Sequence, residues 1–195
     1  MSISKLFIES VCYDIAMKIQ DLKIYIVEYN QYSASFFKEA FKDYPNVTVI
    51  NDDLLHFYNE HKKEVDCLVS PANSYGHMSG GFDARLSDIL GWDFQLKVQA
   101  YIKEHFNGEQ PVGTSFIIKT DFDNLYLIHT PTMKYPSRIK DDNIITTCTT
   151  STLKCALENN IKCIVLPVFG GSCGGLSPEV TSKRMLEAYT KLLKN

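Results

Sequence analysis

Val65 to Gly91 reads VDCLVSPANSYGHMSGGFDARLSDILG, and this stretch decides the fold. Val65 to Val69 is a short apolar run of the kind that forms a buried strand. It breaks at Pro71, passes Asn73, reaches Gly80-Gly81 and enters a helical pattern around Phe82. Asn73 and Asp83 therefore flank a glycine-bearing loop at the carboxyl end of a strand, where open α/β sheets bind their ligands. A second loop of this kind, FGGSCGG over 169–175, follows the apolar run Cys163 to Val168. Ser177-Pro178-Glu179 comes next: an N-cap, a proline at the first helical position and an acid in the first turn.

Further apolar runs predict strands at Lys23 to Val27, Val47 to Ile50, Ser115 to Lys119 and Leu125 to His129. Several are continuous rather than alternating, as expected of strands covered on both faces. Helical spacing appears in Ser33 to Lys42, Asp93 to Phe106 and Pro178 to Lys194. It is weaker in Asp142 to Glu158, where Thr and Ile are poor helix formers. Strands alternating with helices indicate an α/β sandwich. The runs ending at Lys119 and starting at Leu125 are joined by DFDN, a hairpin that makes the sheet mixed. Residues 1–20 precede the first strand and are expected to form an additional helix.

The chain has 195 residues, 45% of them hydrophobic, with a net charge of −3. That composition supports one domain with an ample core. Basic residues form no stripe or tail, so duplex nucleic acid is not an expected partner. No apolar run approaches the roughly 20 residues of a membrane span, and the N-terminus lacks a signal-peptide core. A soluble, cytoplasmic protein is expected. None of the six cysteines forms a C-x-x-C pair, and the five histidines show no metal-ligand spacing. Small buried thiols are the expected role of the cysteines, ahead of disulfides and zinc.

Glycine-rich turns present backbone N–H groups that bind anions. Neither loop is G-x-x-x-x-G-K-[ST] or G-x-G-x-x-G, which removes the fingerprint a dinucleotide-dependent oxidoreductase needs. Taken singly each loop reads as a turn; two, each leading from strand to helix, point to a phosphate-rich ligand. Asn73 has two readings, a residue satisfying its own turn or an amide bonded to a ribose hydroxyl. Asp83 is either a first-turn acid facing the helix dipole or a carboxylate that orients or activates water. Asp53, in NDDLLHF, is either an N-cap or the acceptor of an adenine amino group.

Together these motifs resemble the macro domain family. In its MacroD-like members VDAIVNAAN leads into glycines and an aspartate; here VDCLVSPAN leads to SGGFD, and Asn73 and Asp83 keep that family's ten-residue separation. Asp53-Leu54 looks like the family's GDI segment, and LPVFGGSCGGLSPE resembles its diphosphate-binding loop. Microbial and phage members reading VSPANSFGFMDGGID, APTM and LGTGVGGVPPE are similar to VSPANSYGHMSGGFD, TPTM and FGGSCGGLSPE here. The likeness covers residues 22–194.

The resemblance implies a three-layer α/β/α fold with a mixed central sheet of about six strands, occupying residues 21–195 after an extension at 1–20. It implies binding of ADP-ribose or an ADP-ribosylated substrate at Asp53, Leu54, Ala72, Asn73, Gly80, Gly81, Phe82, Phe169, Gly170, Gly171, Ser172, Cys173 and Gly174. Asn73 and Asp83 would be the catalytic pair of a hydrolase acting at the distal ribose, without metal or cofactor. The substrate would be ADP-ribosylated protein, O-acetyl-ADP-ribose or ADP-ribose 1″-phosphate; the alternative is a non-catalytic reader of ADP-ribose. Three departures bear on that choice. Ser70 replaces a further Asn, Ser172 replaces a usual Gly, and Gly174 stands where an aromatic covers the distal ribose. Binding tolerates these changes better than catalysis does.

Overall fold

The computed structural model describes residues 17–194. The helix expected at 1–20 lies outside the described residues apart from 17–20, and a short 3-10 turn spans Ile19–Asp21. Strands β1 (Lys23–Val27), β2 (Val47–Ile50), β3 (Cys67–Ser70), β4 (Phe116–Lys119), β5 (Tyr126–His129) and β6 (Cys163–Leu166) form one six-stranded sheet in the order β2-β1-β6-β3-β5-β4. β4 runs antiparallel to β5, and the other neighbours are parallel. The mixed sheet expected from the DFDN hairpin is present.

Helices α1 (Gln31–Ala40), α5 (Asn143–Glu158) and α6 (Pro178–Leu193) cover one face; α2 (Leu54–His61), α3 (Gly81–Leu90) and α4 (Phe94–Phe106) cover the other. Side chains alternate across each strand. Ile24, Ile26, Val69, Ile164 and Leu166 pack with Phe37, Met185 and Tyr189 on the first face. Tyr25, Val27, Leu68 and Val165 pack with Phe57, Leu86 and Val98 on the second. Both faces are buried, which is why the strand sequences are nearly continuous apolar runs.

The threonine-rich α5 is held by tertiary bonds that outweigh propensity. Thr146 Oγ1 donates to the Arg184 carbonyl at 3.3 Å, and the Thr152 hydroxyl bonds that of Thr130 at 2.8 Å. α2, LLHFYNEH, is a helix that apolar spacing does not announce. It is nucleated by Asp53, whose carboxylate accepts from the N–H groups of Leu55 and His56. No helix among the described residues is long and apolar enough to cross a membrane.

Candidate functional site

β3, β5 and β6 lie side by side and parallel, so the loops leaving their carboxyl ends converge. Between them lies a cleft of ≈ 290 Å³, lined by residues 71–73, 77, 79–83, 132, 133, 136, 168, 170 and 172–174.

The first wall comes from the loop between β3 and α3. Asn73 is buried and organises it: its side-chain oxygen accepts from Tyr75 N at 3.0 Å and His77 N at 3.5 Å, and its amide donates to the His77 carbonyl at 3.3 Å. One amide proton remains free for a ligand. α3 then begins at Gly81 behind Gly80, which has no side chain to cap it; α4 and α5 likewise lack a side-chain cap bond, whereas Asn30, Asp53 and Ser177 cap α1, α2 and α6. The first N–H groups of a helix have no partner within it, so at α3 they are available to an anion.

Asp83 sits in the first turn of α3, only 6% exposed, with one carboxylate oxygen accepting from the Ser70 hydroxyl at 2.6 Å. Burial pushes its carboxyl up to about 7, against the pull of the Ser70 bond, which lowers it. An acid that titrates near neutrality inside a cleft is suited to proton transfer.

The second wall is the loop between β6 and α6. Gly81, at φ +57, places its Cα against this loop: a Cβ there would stand 3.6 Å from Ser172 Oγ. Gly174 is packed so closely that a Cβ would lie 2.6 Å from the Gly170 carbonyl oxygen and 2.9 Å from Gly170 Cα. The aromatic found at this position in MacroD-like hydrolases cannot be accommodated on this backbone. Cys173 is exposed at the cleft, while Cys67, Cys148, Cys155 and Cys163 are buried.

The third wall, from the loop after β5, contains Thr132, Met133 and Pro136. Ser74 N donates to the Met133 carbonyl at 3.1 Å, Thr132 Oγ1 to the Pro71 carbonyl at 3.3 Å, and the Tyr75 and Tyr135 rings stack at 4.8 Å. These contacts tie the first and third walls together.

Ala72, Asn73, Gly80, Gly81, Phe82, Asp83, Gly170, Ser172, Cys173 and Gly174 all line the cleft. Gly171 lies in the same loop without lining it, and Phe169 is fully buried beneath it in the core. Asp53 and Leu54 are not brought to the cleft: Leu54 packs in the core, and Asp53 caps α2 while pairing with Arg85 Nε at 3.0 Å. Pro71, His77, Ser79, Thr132, Met133, Pro136 and Val168 complete the lining. The TPTM tetrapeptide is a legible signal for two of these, since it follows a strand's carboxyl end. Among the described residues no group of three or more His, Cys, Asp or Glu is placed to hold a metal ion.

The macro domain family model matches residues 69–185, and the chain belongs to this family. An uncharacterized protein of Aquifex aeolicus (strain VF5) is 27% identical over 131 residues, 66% of this chain and 74% of that protein. Among solved structures, the macrodomain of Mycobacterium tuberculosis DarG is similar with a TM-score of 0.57 at 22% identity, covering 66% of this chain and 84% of that one. A glycine-to-valine mutant of the Oceanobacillus iheyensis macrodomain with ADPR has a TM-score of 0.63 at 16% identity, covering 92% and 83%. At these identities the structural likeness speaks for the fold.

Proposed function

We propose that the cleft binds ADP-ribose and hydrolyses a substituent at its distal ribose. The observation that carries this reading is Asp83, a buried carboxyl at about 7 in a cleft whose lining, among the described residues, holds no other carboxylate and no Lys or Arg. The uncapped start of α3 and the glycine-rich loop after β6 would hold the diphosphate through backbone N–H groups. Asn73 would place the ribose with its free amide proton, and Asp83 would take a proton from the attacking water. Asp53, at the start of α2 and outside the cleft lining, would meet the adenine where the ligand extends beyond the cleft, once Arg85 has released one of its oxygens. Ligand chemistry in the family supports the assignment, since a fold relative carries ADPR.

Gly174 favours a second reading, a binding module that does not turn its ligand over. With no side chain possible there, the distal ribose lacks that aromatic cover. Titration calorimetry with ADP-ribose, followed by turnover assays on mono-ADP-ribosylated protein, O-acetyl-ADP-ribose and the 1″-phosphate, separates the two. Binding with turnover of at least one substrate is expected. Binding without any turnover would leave the reader, and absence of binding would sink both.

A further inference from the structure

His77 lines the cleft together with Asp83 and, among the described residues, is the sole histidine to do so. It stands on a loop yet is restrained from several directions. Asn73 bonds both its backbone N–H and its carbonyl. The next residue, Met78, is buried, with its N–H donating to Gln95 at 2.6 Å and its carbonyl accepting from the Ser87 hydroxyl at 2.9 Å. The ring itself is held from α4, where the Gln99 side-chain amide lies 3.3 Å from His77 Nδ1. An exposed ring on a segment pinned by four neighbouring side chains, counting Asn73, Ser87, Gln95 and Gln99, is preorganised in the manner of a reacting group.

Gln99 also suits both protonation states. Its amide N–H can donate to a bare Nδ1, leaving the ring proton on Nε2. Turned over, its carbonyl accepts from Nδ1–H of the imidazolium. Buried His129 offers no such chemistry, since burial pushes it down to about 3 and it bonds Gln110 away from the cleft lining. Among the described residues no Lys or Arg lines the cleft, so His77 is the one lining side chain able to carry a positive charge and hand on a proton.

We propose that His77 is a catalytic residue of this site, giving its Nε2 proton to the departing oxygen, and that the cleft is thereby suited to ADP-ribose linked to a hydroxyl. Gln99 is the positioning residue. The inference rests on the hydrolase reading above. In the step, the Asp83 carboxylate takes a proton from water and the water oxygen bonds to C1″. The C1″–O bond breaks with its electron pair going to the departing oxygen. That oxygen takes the imidazolium proton and leaves as an alcohol, and Asp83 and His77 are reset by proton exchange with solvent. An alkoxide is a poor leaving group and needs that proton; a carboxylate leaves readily without it.

The test compares wild type, His77→Gln and Gln99→Leu on a serine-linked ADP-ribosyl peptide and on a glutamate-linked one, whose leaving group at C1″ is a carboxylate. The ratio of kcat for the hydroxyl-linked over the carboxylate-linked substrate should fall about 100-fold in His77→Gln, as for a lost general acid. It should fall in the same direction, by about 5–10-fold, in Gln99→Leu. The His77 ring nitrogen resonances of wild type should also move on addition of ADP-ribose. Equal losses on both substrates, or none, with wild type active would overturn the role of His77 and leave the hydrolase reading standing. Wild type that binds ADP-ribose and turns over neither substrate would remove both.

Discussion

Replacing Asp83 by Asn should make the protein more stable at alkaline pH while disabling it. In the fold the carboxyl rises from 3.8 to about 7, with burial as the main cause. At about 1.4 kcal/mol for each pH unit, that rise amounts to about 4 kcal/mol, and relaxation of the cleft with water entry brings this to about 2–4 kcal/mol. The sign follows from linkage. Between the unfolded and folded values the native state holds the extra proton, so this contribution is fully present below about pH 4 and is lost as pH rises through about 7. Asn carries no charge at any of these values and loses nothing. Its side-chain oxygen can still accept from Ser70, so any fixed cost of the substitution is common to all pH values.

The assay is urea denaturation of both proteins at several pH values from about 4 to about 8.5, a range that brackets the titration. Other titrating groups, such as the Glu64 carboxylate held down to about 2 by Lys23 and His61, are common to both proteins and cancel in the difference. The stability of Asp83→Asn relative to wild type should climb by about 2–4 kcal/mol across the range, which in melting experiments is on the order of 5–15 °C. The kcat of the mutant should fall by at least about 100-fold. A stability difference that stays flat with pH would show that Asp83 ionises as an ordinary surface acid does, and the general-base argument would go with it.

Ser70→Ala removes the one hydrogen bond that lowers Asp83; the pH at which kcat reaches half its plateau should therefore move upward, and an unmoved profile would deny the Ser70–Asp83 link. Asp53→Asn should keep the cap of α2, because Asn is as good an N-cap as Asp, and still weaken ADP-ribose by about 1.5–3 kcal/mol with loss of preference for adenine. Asp53→Ala should add a stability loss of about 1 kcal/mol; calorimetry with ADP-ribose and GDP-ribose, beside melts, tells the cap from the base contact. Gly174→Phe should disorder the loop instead of restoring aromatic cover, since its Cβ meets backbone at 2.6 Å; tighter binding by this variant would contradict the packing described.

Much of the fold is legible because burial on both faces writes itself into composition. β1 and β2 occupy the residues their apolar runs mark, 23–27 and 47–50. β3 begins two residues after its run does. There Asp66 spends its carboxylate on the N–H groups of Lys162 and Cys163, a long-range bond that no local pattern carries. α2 is not legible, because eight residues containing His, Asn and Glu leave too few apolar positions to show a period. Within the site, the glycine loops announce themselves through their unusual composition. Phe169 illustrates the limit: an aromatic beside Gly170 reads as cleft lining, but which way it points is fixed by the core beneath. His77 is hidden for the same reason, since the residues that restrain its ring and Met78 lie on α3 and α4.

The charge balance of the cleft links these points. An ADP-ribose diphosphate would enter a space whose lining, among the described residues, contains no Lys or Arg and one buried carboxyl. Ionised Asp83 and the diphosphate repel each other, so the pair can coexist only where donors outnumber them. The uncapped start of α3 and the backbone of the loop after β6 supply such donors as fixed dipoles. Arg138, whose guanidinium would stand 3.7 Å from a Cβ on Gly175, is a cation beside that second loop and outside the cleft lining. A lysine inside the lining would bind the diphosphate more simply, yet it would also pull Asp83 back toward its ordinary value and leave it a weaker base near neutral pH. Holding the anion with backbone dipoles would keep the carboxyl poised, which is a physical reason for glycine, and not a permanently charged lysine, to line both walls.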